Sequence, residues 1–156
     1  MTNATKKARI GYDYVHAAVD DRTRLAYAEI LPDEKGPTAA GFLTRAATWF
    51  AEHGIPHIQR VITDNAFAYR RSTAFKTAVA AIGAEQRFIK PHRPWTNGKV
   101  ERFNRTLQTE WAYRRVYRSN TARTKALTPW LTQYNYHRPH TALGGQPPIT
   151  RVSLTS

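Results

Sequence analysis

The chain has 156 residues, with 24 Lys and Arg against 11 Asp and Glu for a formal charge of +13, a length that suits one domain. Its 41% hydrophobic and 12% aromatic residues supply material for a core and argue against wholesale disorder and against collagen-like or mucin-like polymers. There is no Cys, which excludes a disulfide-stapled secreted scaffold and a thiolate zinc site. No apolar run approaches the ~18 residues of a membrane span, and Met1 to Ile10 carries Lys6, Lys7 and Arg9 without the apolar segment of a signal peptide. A soluble cytoplasmic protein without a membrane partner is expected.

In chain order, residues 12–19 (YDYVHAAV) and 25–31 (LAYAEIL) are β-prone runs separated by Asp20 to Arg24, which predicts a hairpin with Asp20 and Asp21 in its turn. Pro37 opens a helical stretch in which Phe42, Leu43, Ala46, Ala47 and Phe50 recur at helical spacing until Gly54 and Pro56, so a helix is expected near 38–53. Residues 57–63 (HIQRVIT) predict a strand ending at Asp64. Ser72 is placed to cap a second helix bearing Phe75, Val79 and Ile82, with Gly83 as its stop, and 85–89 (EQRFI) predicts a further strand.

Pro91 to Gly98 contains two prolines and an Asn-Gly pair and predicts a loop. Beyond it Val100, Phe103, Leu107 and Trp111 form an apolar helical stripe, while Glu101, Asn104, Arg105 and Gln108 occupy an adjacent polar face. A last helix is expected over 121–136 with Leu127, Leu131 and Tyr134 inward and a break or kink at Pro129. The Pro-rich end, with Pro139, Pro147 and Pro148, is expected to be extended. Three of the four Trp residues, Trp49, Trp111 and Trp130, fall in helical stretches and are assigned to the core.

The charge is uneven. Residues 1–85 hold 11 basic and 9 acidic side chains, whereas residues 86–156 hold 13 basic and 2 acidic ones, a net of +11. A solvated basic face is normally diluted with Glu; here it is interleaved with aromatics, which favours polyanion binding. Phosphate contacts of this kind give affinity without sequence information and do not separate DNA from RNA.

Two carboxylates stand out. Asp64 follows a strand in an α/β pattern, where ligands commonly bind, and Glu101 lies in the first turn of the helix after the Pro-rich loop. Each alone has an ordinary explanation: Asp-Asn after a strand makes a turn, and Glu in a first turn complements the helix dipole. Glu101 is, however, one of two acids in the basic half, a setting that suits a carboxylate holding a divalent cation against phosphate oxygens while Lys99, Arg102 and Arg105 hold the polyanion. Trp95, in the loop before it, is placed to touch a splayed DNA end. His137 and His140 flank Pro139 and are read as turn and packing residues.

Thr63-Asp64-Asn65, followed by RPWTNGKVERFNRT (Arg93 to Thr106) with 36 residues between Asp64 and Glu101, resembles the integrase catalytic core of bacterial insertion-sequence transposases, related to retroviral integrases. VDDRTRLAYAEIL (Val19 to Leu31) and YNYHRPHTAL (Tyr134 to Leu143) extend the resemblance over about residues 11–152. It implies an α/β, ribonuclease H-like mixed sheet flanked by helices, and a single core domain over 1–156 with a basic, helical and Pro-rich extension from about 113. It also implies a homo-oligomer on DNA ends, with no small-molecule substrate. The family's site is three carboxylates holding two Mg²⁺ ions (or Mn²⁺), one activating water or a DNA 3′-hydroxyl and the other stabilising the leaving oxygen.

Asp64 matches the second carboxylate and Glu101 the third, as catalytic and metal-ligating residues. Lys90, Arg93, Trp95, Asn97, Lys99, Arg102 and Arg105 are assigned to DNA. The first carboxylate has no counterpart among Met1 to Gly11, and Asp13 stands too close to the turn at Asp20 to admit two strands and their connection. The expectation is a core lacking the family's first strand, either incomplete for metal-dependent strand cleavage and joining or a catalytically inactive DNA-binding remnant. A basic RNA-associated protein without enzymatic ancestry is a third reading.

Overall fold

The computed structural model describes residues 9–10, 13–64, 66–89, 98–112 and 120–152. Three antiparallel strands, β1 (Arg9–Ile10), β2 (Asp13–Val19) and β3 (Ala26–Leu31), form one sheet, with Val19 opposite Ala26 and Tyr14 opposite Leu31. The predicted hairpin is therefore present, and β1 is an additional short strand on its outer side. Its turn closes through Asp20, whose Oδ2 accepts from Thr23 N (2.8 Å) and from Thr23 Oγ1 (2.7 Å). A side chain that replaces backbone partners in this way is why Asp suits the position.

Helix α1 (Gly36–Glu52) starts with Pro37 in its first turn, where a missing N–H does no harm. Gly54, at φ 94°, reverses the chain in a conformation that residues with a Cβ resist. Strand β4 (Arg60–Thr63) is shorter than the expected 57–63 and pairs in parallel with β5 (Glu85–Phe88), Thr63 opposite Phe88. Between them lie a one-turn helix, α2 (Phe67–Arg70), which the sequence pattern does not announce, and α3 (Thr73–Ala81). Ser72 caps α3 as expected, its Oγ accepting from Phe75 N at 3.1 Å.

Helix α4 (Gly98–Leu107) continues into a π-helical turn over Gln108–Ala112. All four residues of its predicted stripe are buried, Val100, Phe103, Leu107 and Trp111. The expected tail helix is two helices, α5 (Asn120–Lys125) and α6 (Leu127–Tyr136), parted at Ala126 and not at Pro129. Pro129 occupies the first turn of α6, the place where its lack of an N–H is tolerated. The Pro-rich end is not simply extended: it forms a 3₁₀ turn over Thr141–Leu143, an isolated bridge between His140 and Gln146, and α7 (Ile149–Val152). Prolines there sit beside the short helices, where a fixed φ starts a turn as readily as it extends one.

The alternation of β2 and β3 explains the layers. Val15, Ala17, Ala26 and Ala28 pack with the α4 stripe and with Leu127, Trp130, Leu131 and Tyr134 of α6. The opposite face sends Ala18 and Leu25 against Phe42, Ala46 and Phe50 of α1 and Val152 of α7. A third cluster joins α1 to Val61, Tyr69, Phe75 and Val79. A sheet apolar on both faces must be covered on both, so the hairpin lies between α1 and the α4/α6 layer. Trp111 and Trp130 are buried as assigned, and Trp49 packs at the rim with its ring stacked 3.9 Å from His53.

Where one mixed sheet is expected, the described residues form two: the antiparallel β1–β2–β3 and the parallel β4–β5, with no ladder between them. The chain is a mixed α/β protein. No helix among the described residues is long and apolar enough to cross a membrane.

Candidate functional site

Asp64 leaves the carboxyl end of β4 half-buried. Its position is set from both sides. Thr63, fully buried, donates from Oγ1 to Asp64 O at 3.0 Å and accepts through its carbonyl from Ile89 N at 3.0 Å. Asp64 Oδ1 accepts from Ala66 N at 2.8 Å, closing the turn that Asp is chosen for. Gln86 of β5 reinforces the same corner by donating to the Tyr69 carbonyl at 2.9 Å. The carboxylate thus has one oxygen engaged in the turn.

Glu101 sits in the first turn of α4, partly buried, where the helix dipole favours a negative charge. Behind it Phe103 packs edge-on to Tyr134 of α6 with ring centroids 5.0 Å apart. This anchors the helix that presents Glu101. Among the described residues no group of three or more His, Cys, Asp or Glu side chains is gathered to hold a metal ion.

The residues assigned to DNA divide. Lys90, Arg93, Trp95 and Asn97 lie outside the described residues. Lys99 and Arg102 line a common cavity of about 250 Å³; Arg105, one turn further along α4, is exposed and outside it. Lys99 is not simply free for DNA: its Nζ pairs with Asp21 Oδ1 at 2.5 Å and donates to Asp21 O at 2.9 Å, tying α4 to the hairpin turn.

The cavity also includes residues that no site assignment from the sequence contained: Arg24 of the hairpin turn, Tyr134 of α6, and Arg138 and His140 beyond it. Arg138 is held by Glu110 through Nε (3.1 and 3.0 Å) and Nη2 (2.7 Å), a forked charge-assisted pair. His140 stands edge-on to Tyr134 at 4.8 Å. Burial, then the positive charge of Arg138, hold its imidazole below the ordinary value, so it is neutral at pH 7. Burial pushes the Tyr134 phenol up to about 12. The signal for these residues lay in plain sight, in YNYHRPHTAL and in the hairpin turn, but neither stretch shows in its own residues that both reach α4.

A second groove, between β3, α1 and α6, is lined by Glu29, Trp49, His53 and Tyr136 and has no Lys or Arg in its wall. Of these two cavities, the one where the hairpin turn, α4 and the end of α6 meet is the cationic one. Residues 82–148, the stretch that carries β5, α4, α6 and three of the four cations of that cavity, match the family model described as an integrase core domain, consistent with an integrase or transposase catalytic core, and the activity implied is of the integrase type, on DNA.

Proposed function

We propose that the chain is the core of a DNA transposase, of the class that cleaves and joins DNA strands with Mg²⁺ or Mn²⁺, and that Asp64 and Glu101 are its metal-ligating carboxylates. The observation that carries the reading is the integrase core domain match over residues 82–148, which contains Glu101. Asp64 supports it, at the carboxyl end of a strand whose parallel neighbour β5 lies inside the matched stretch. Lys99, Arg102 and Arg105 of α4, with Lys90 and Arg93 before them in the chain, supply positive charge for the phosphates, and Trp95 and Asn97 are assigned to the same DNA. Paired DNA ends would be held by a homo-oligomer.

Carboxylate oxygens have the right chemistry for a hard cation, which when bound stabilises charge on phosphate oxygens. Their number is short. Two carboxylates, one with an oxygen engaged by Ala66 N, and no third ligand gathered among the described residues suit one weakly held cation. Two-metal phosphoryl transfer requires ions about 3.5–4 Å apart and side chains placed within about 0.5 Å. We therefore read this chain as incomplete for strand transfer when alone; a DNA-binding remnant without catalysis is the second reading, favoured by the same shortage of ligands.

Mg²⁺-dependent nicking and joining of the element's own end sequences separates them. The expected result is no activity from the 156-residue chain and recovery when an upstream segment bearing an Asp is fused in frame or added as a peptide. Recovery that Asp64→Asn abolishes supports the incomplete core. Salt-sensitive DNA binding with no recovery supports the remnant. Robust activity of the unmodified chain, abolished by Asp64→Asn, would refute incompleteness and direct attention to another carboxylate, Asp13 first.

A further inference from the structure

The cavity shared by the hairpin turn, α4 and the end of α6 gathers four cations, Arg24, Lys99, Arg102 and Arg138, and no carboxylate lies in its wall. Two of the four are already compensated, Lys99 by Asp21 and Arg138 by Glu110. Arg24 and Arg102 have no carboxylate partner among the described residues. Like charges converging on one concave site repel unless an anion joins them.

Two further features point the same way. Arg24 is the one described residue other than glycine with a left-handed backbone, φ 68°, a conformation that disfavours a Cβ by about 1–2 kcal/mol. It is held there by its own N–H donating to Asp20 O at 2.8 Å, in a turn that the Asp20–Thr23 bonds already fix. Strain kept at a residue whose side chain enters a cavity points to a use for that side chain. His140, in the same wall, has a buried Nε2 with no hydrogen-bond partner among the described residues. Guanidinium groups carry their donors in a planar fork that matches phosphate oxygens.

We propose that this cavity seats one backbone phosphate of duplex DNA, gripped by Arg24 and Arg102. The inference rests on the reading of the chain as a DNA-acting core and names a group on the DNA that it holds. Three of the four cations and His140 come from the strongly basic half of the chain, residues 86–156, which ties the cavity to the surface expected to follow the DNA. Arg24, from the other half, lines the same cavity, so its grip on that phosphate ties the hairpin turn to the DNA as well as to α4.

The test compares the full chain with Arg24→Gly, Arg24→Lys and Arg102→Gln, measuring affinity for a short duplex across a salt series and the ring signals of His140 by NMR. Glycine suits the left-handed backbone, so Arg24→Gly should melt no lower than the parent. It should nonetheless bind duplex about tenfold more weakly, with a salt slope smaller by about 1, the loss of one phosphate contact. Arg24→Lys should retain most of the affinity, and Arg151→Gln, an equal charge change at an exposed position of α7, should alter it less than about twofold, since distant exposed charges are screened. The His140 signals should move on adding duplex to the parent and stay in place with Arg24→Gly. Parent-like affinity and slope in both Arg24→Gly and Arg102→Gln, while the parent still binds duplex, would overturn the phosphate seat and leave the DNA reading intact. Movement of His140 with inorganic phosphate but not with duplex would overturn the assignment to DNA in favour of a free phosphate ligand. Absence of duplex binding by the parent at any salt would overturn both the seat and the reading beneath it.

Discussion

Asn135 offers the sharpest test of how the molecule is held together. Strand β3 is the edge of its sheet, and the hairpin alternation leaves Ala26 with its polar groups pointing away from β2, since the neighbouring Leu25 carbonyl is the one that accepts from Asp20 N at 2.8 Å. Both Ala26 groups are met by one side chain from α6: Asn135 Oδ1 accepts from Ala26 N at 2.9 Å and Asn135 Nδ2 donates to Ala26 O at 2.8 Å. Ala26 is fully buried and Asn135 is 1% exposed, so water cannot replace the amide. Asn135→Ala should leave two buried backbone groups unpaired and lower stability by about 2–4 kcal/mol, which for a chain of this size is a fall of about 4–16 °C in Tm. Asn135→Asp should be no better, because it keeps the acceptor but turns a carboxylate oxygen toward the Ala26 carbonyl. Urea unfolding followed by circular dichroism reads the change as a shift in midpoint at unaltered slope. Because α6 also carries Tyr134 and leads into Arg138 and His140, DNA affinity should weaken with Asn135→Ala before the chain unfolds. A loss below about 0.5 kcal/mol, the scale of an ordinary surface substitution, would refute the assignment of Asn135 as the partner of the sheet edge.

Three further outcomes are expected. His16 is fully buried with its Nε2 2.8 Å from the Asp33 carbonyl, and burial holds its pKa below the ordinary 6.5. The unfolded chain therefore binds a proton that the folded one refuses, so stability is complete above pH 6.5 and declines as pH falls toward the folded value, by at most about 1.4 kcal/mol per pH unit for this group. The lowered pKa of His140 acts in the same direction; urea midpoints across this range should fall on acidification, less so in His16→Gln, and a flat profile in the parent would contradict the reasoning. Ser72→Ala removes the cap on Phe75 N and should lower stability by about 1 kcal/mol, while Gly36→Ala, whose new Cβ collides with the Ser72 side chain, should do at least as much by forcing α1 and α3 apart; an unchanged unfolding midpoint in both would count against this packing. The triple variant Lys99→Ala, Arg102→Ala, Arg105→Ala should weaken binding to unrelated duplexes alike, with affinity of the parent falling steeply with salt; a parent whose affinity is the same at two salt concentrations would remove this face from the DNA surface.

Much of the fold was legible because it is written at short range. The α4 stripe, the Ser72 cap, Pro37 at the start of α1 and the Asp20 turn each depend on neighbours a few residues away, and each is present. The misreadings also have local causes. Pro129 reads as a break, yet a first-turn proline is tolerated, and the helix instead parts at Ala126; Pro147 and Pro148 read as extended chain, yet α7 begins beside them. Asp64 and Glu101 were legible as candidates from residue type, position and resemblance.

What the sequence by itself determined is the set of amphipathic elements, the basic half and the motif that includes Glu101, because periodicity, charge and residue order survive without coordinates. Only the tertiary structure decided which faces meet. The Asn135–Ala26 bonds span 109 residues and the Lys99–Asp21 pair spans 78, and no local pattern encodes a partner at that distance. The same packing brings Arg24, a residue of the predicted turn, to Arg102, assigned to DNA, and to Arg138, given no role by the sequence, in one cationic cavity. The physical reason is that a side chain's secondary structure is set by its near neighbours in the chain, whereas its partners are set by how buried faces must close against one another to exclude water.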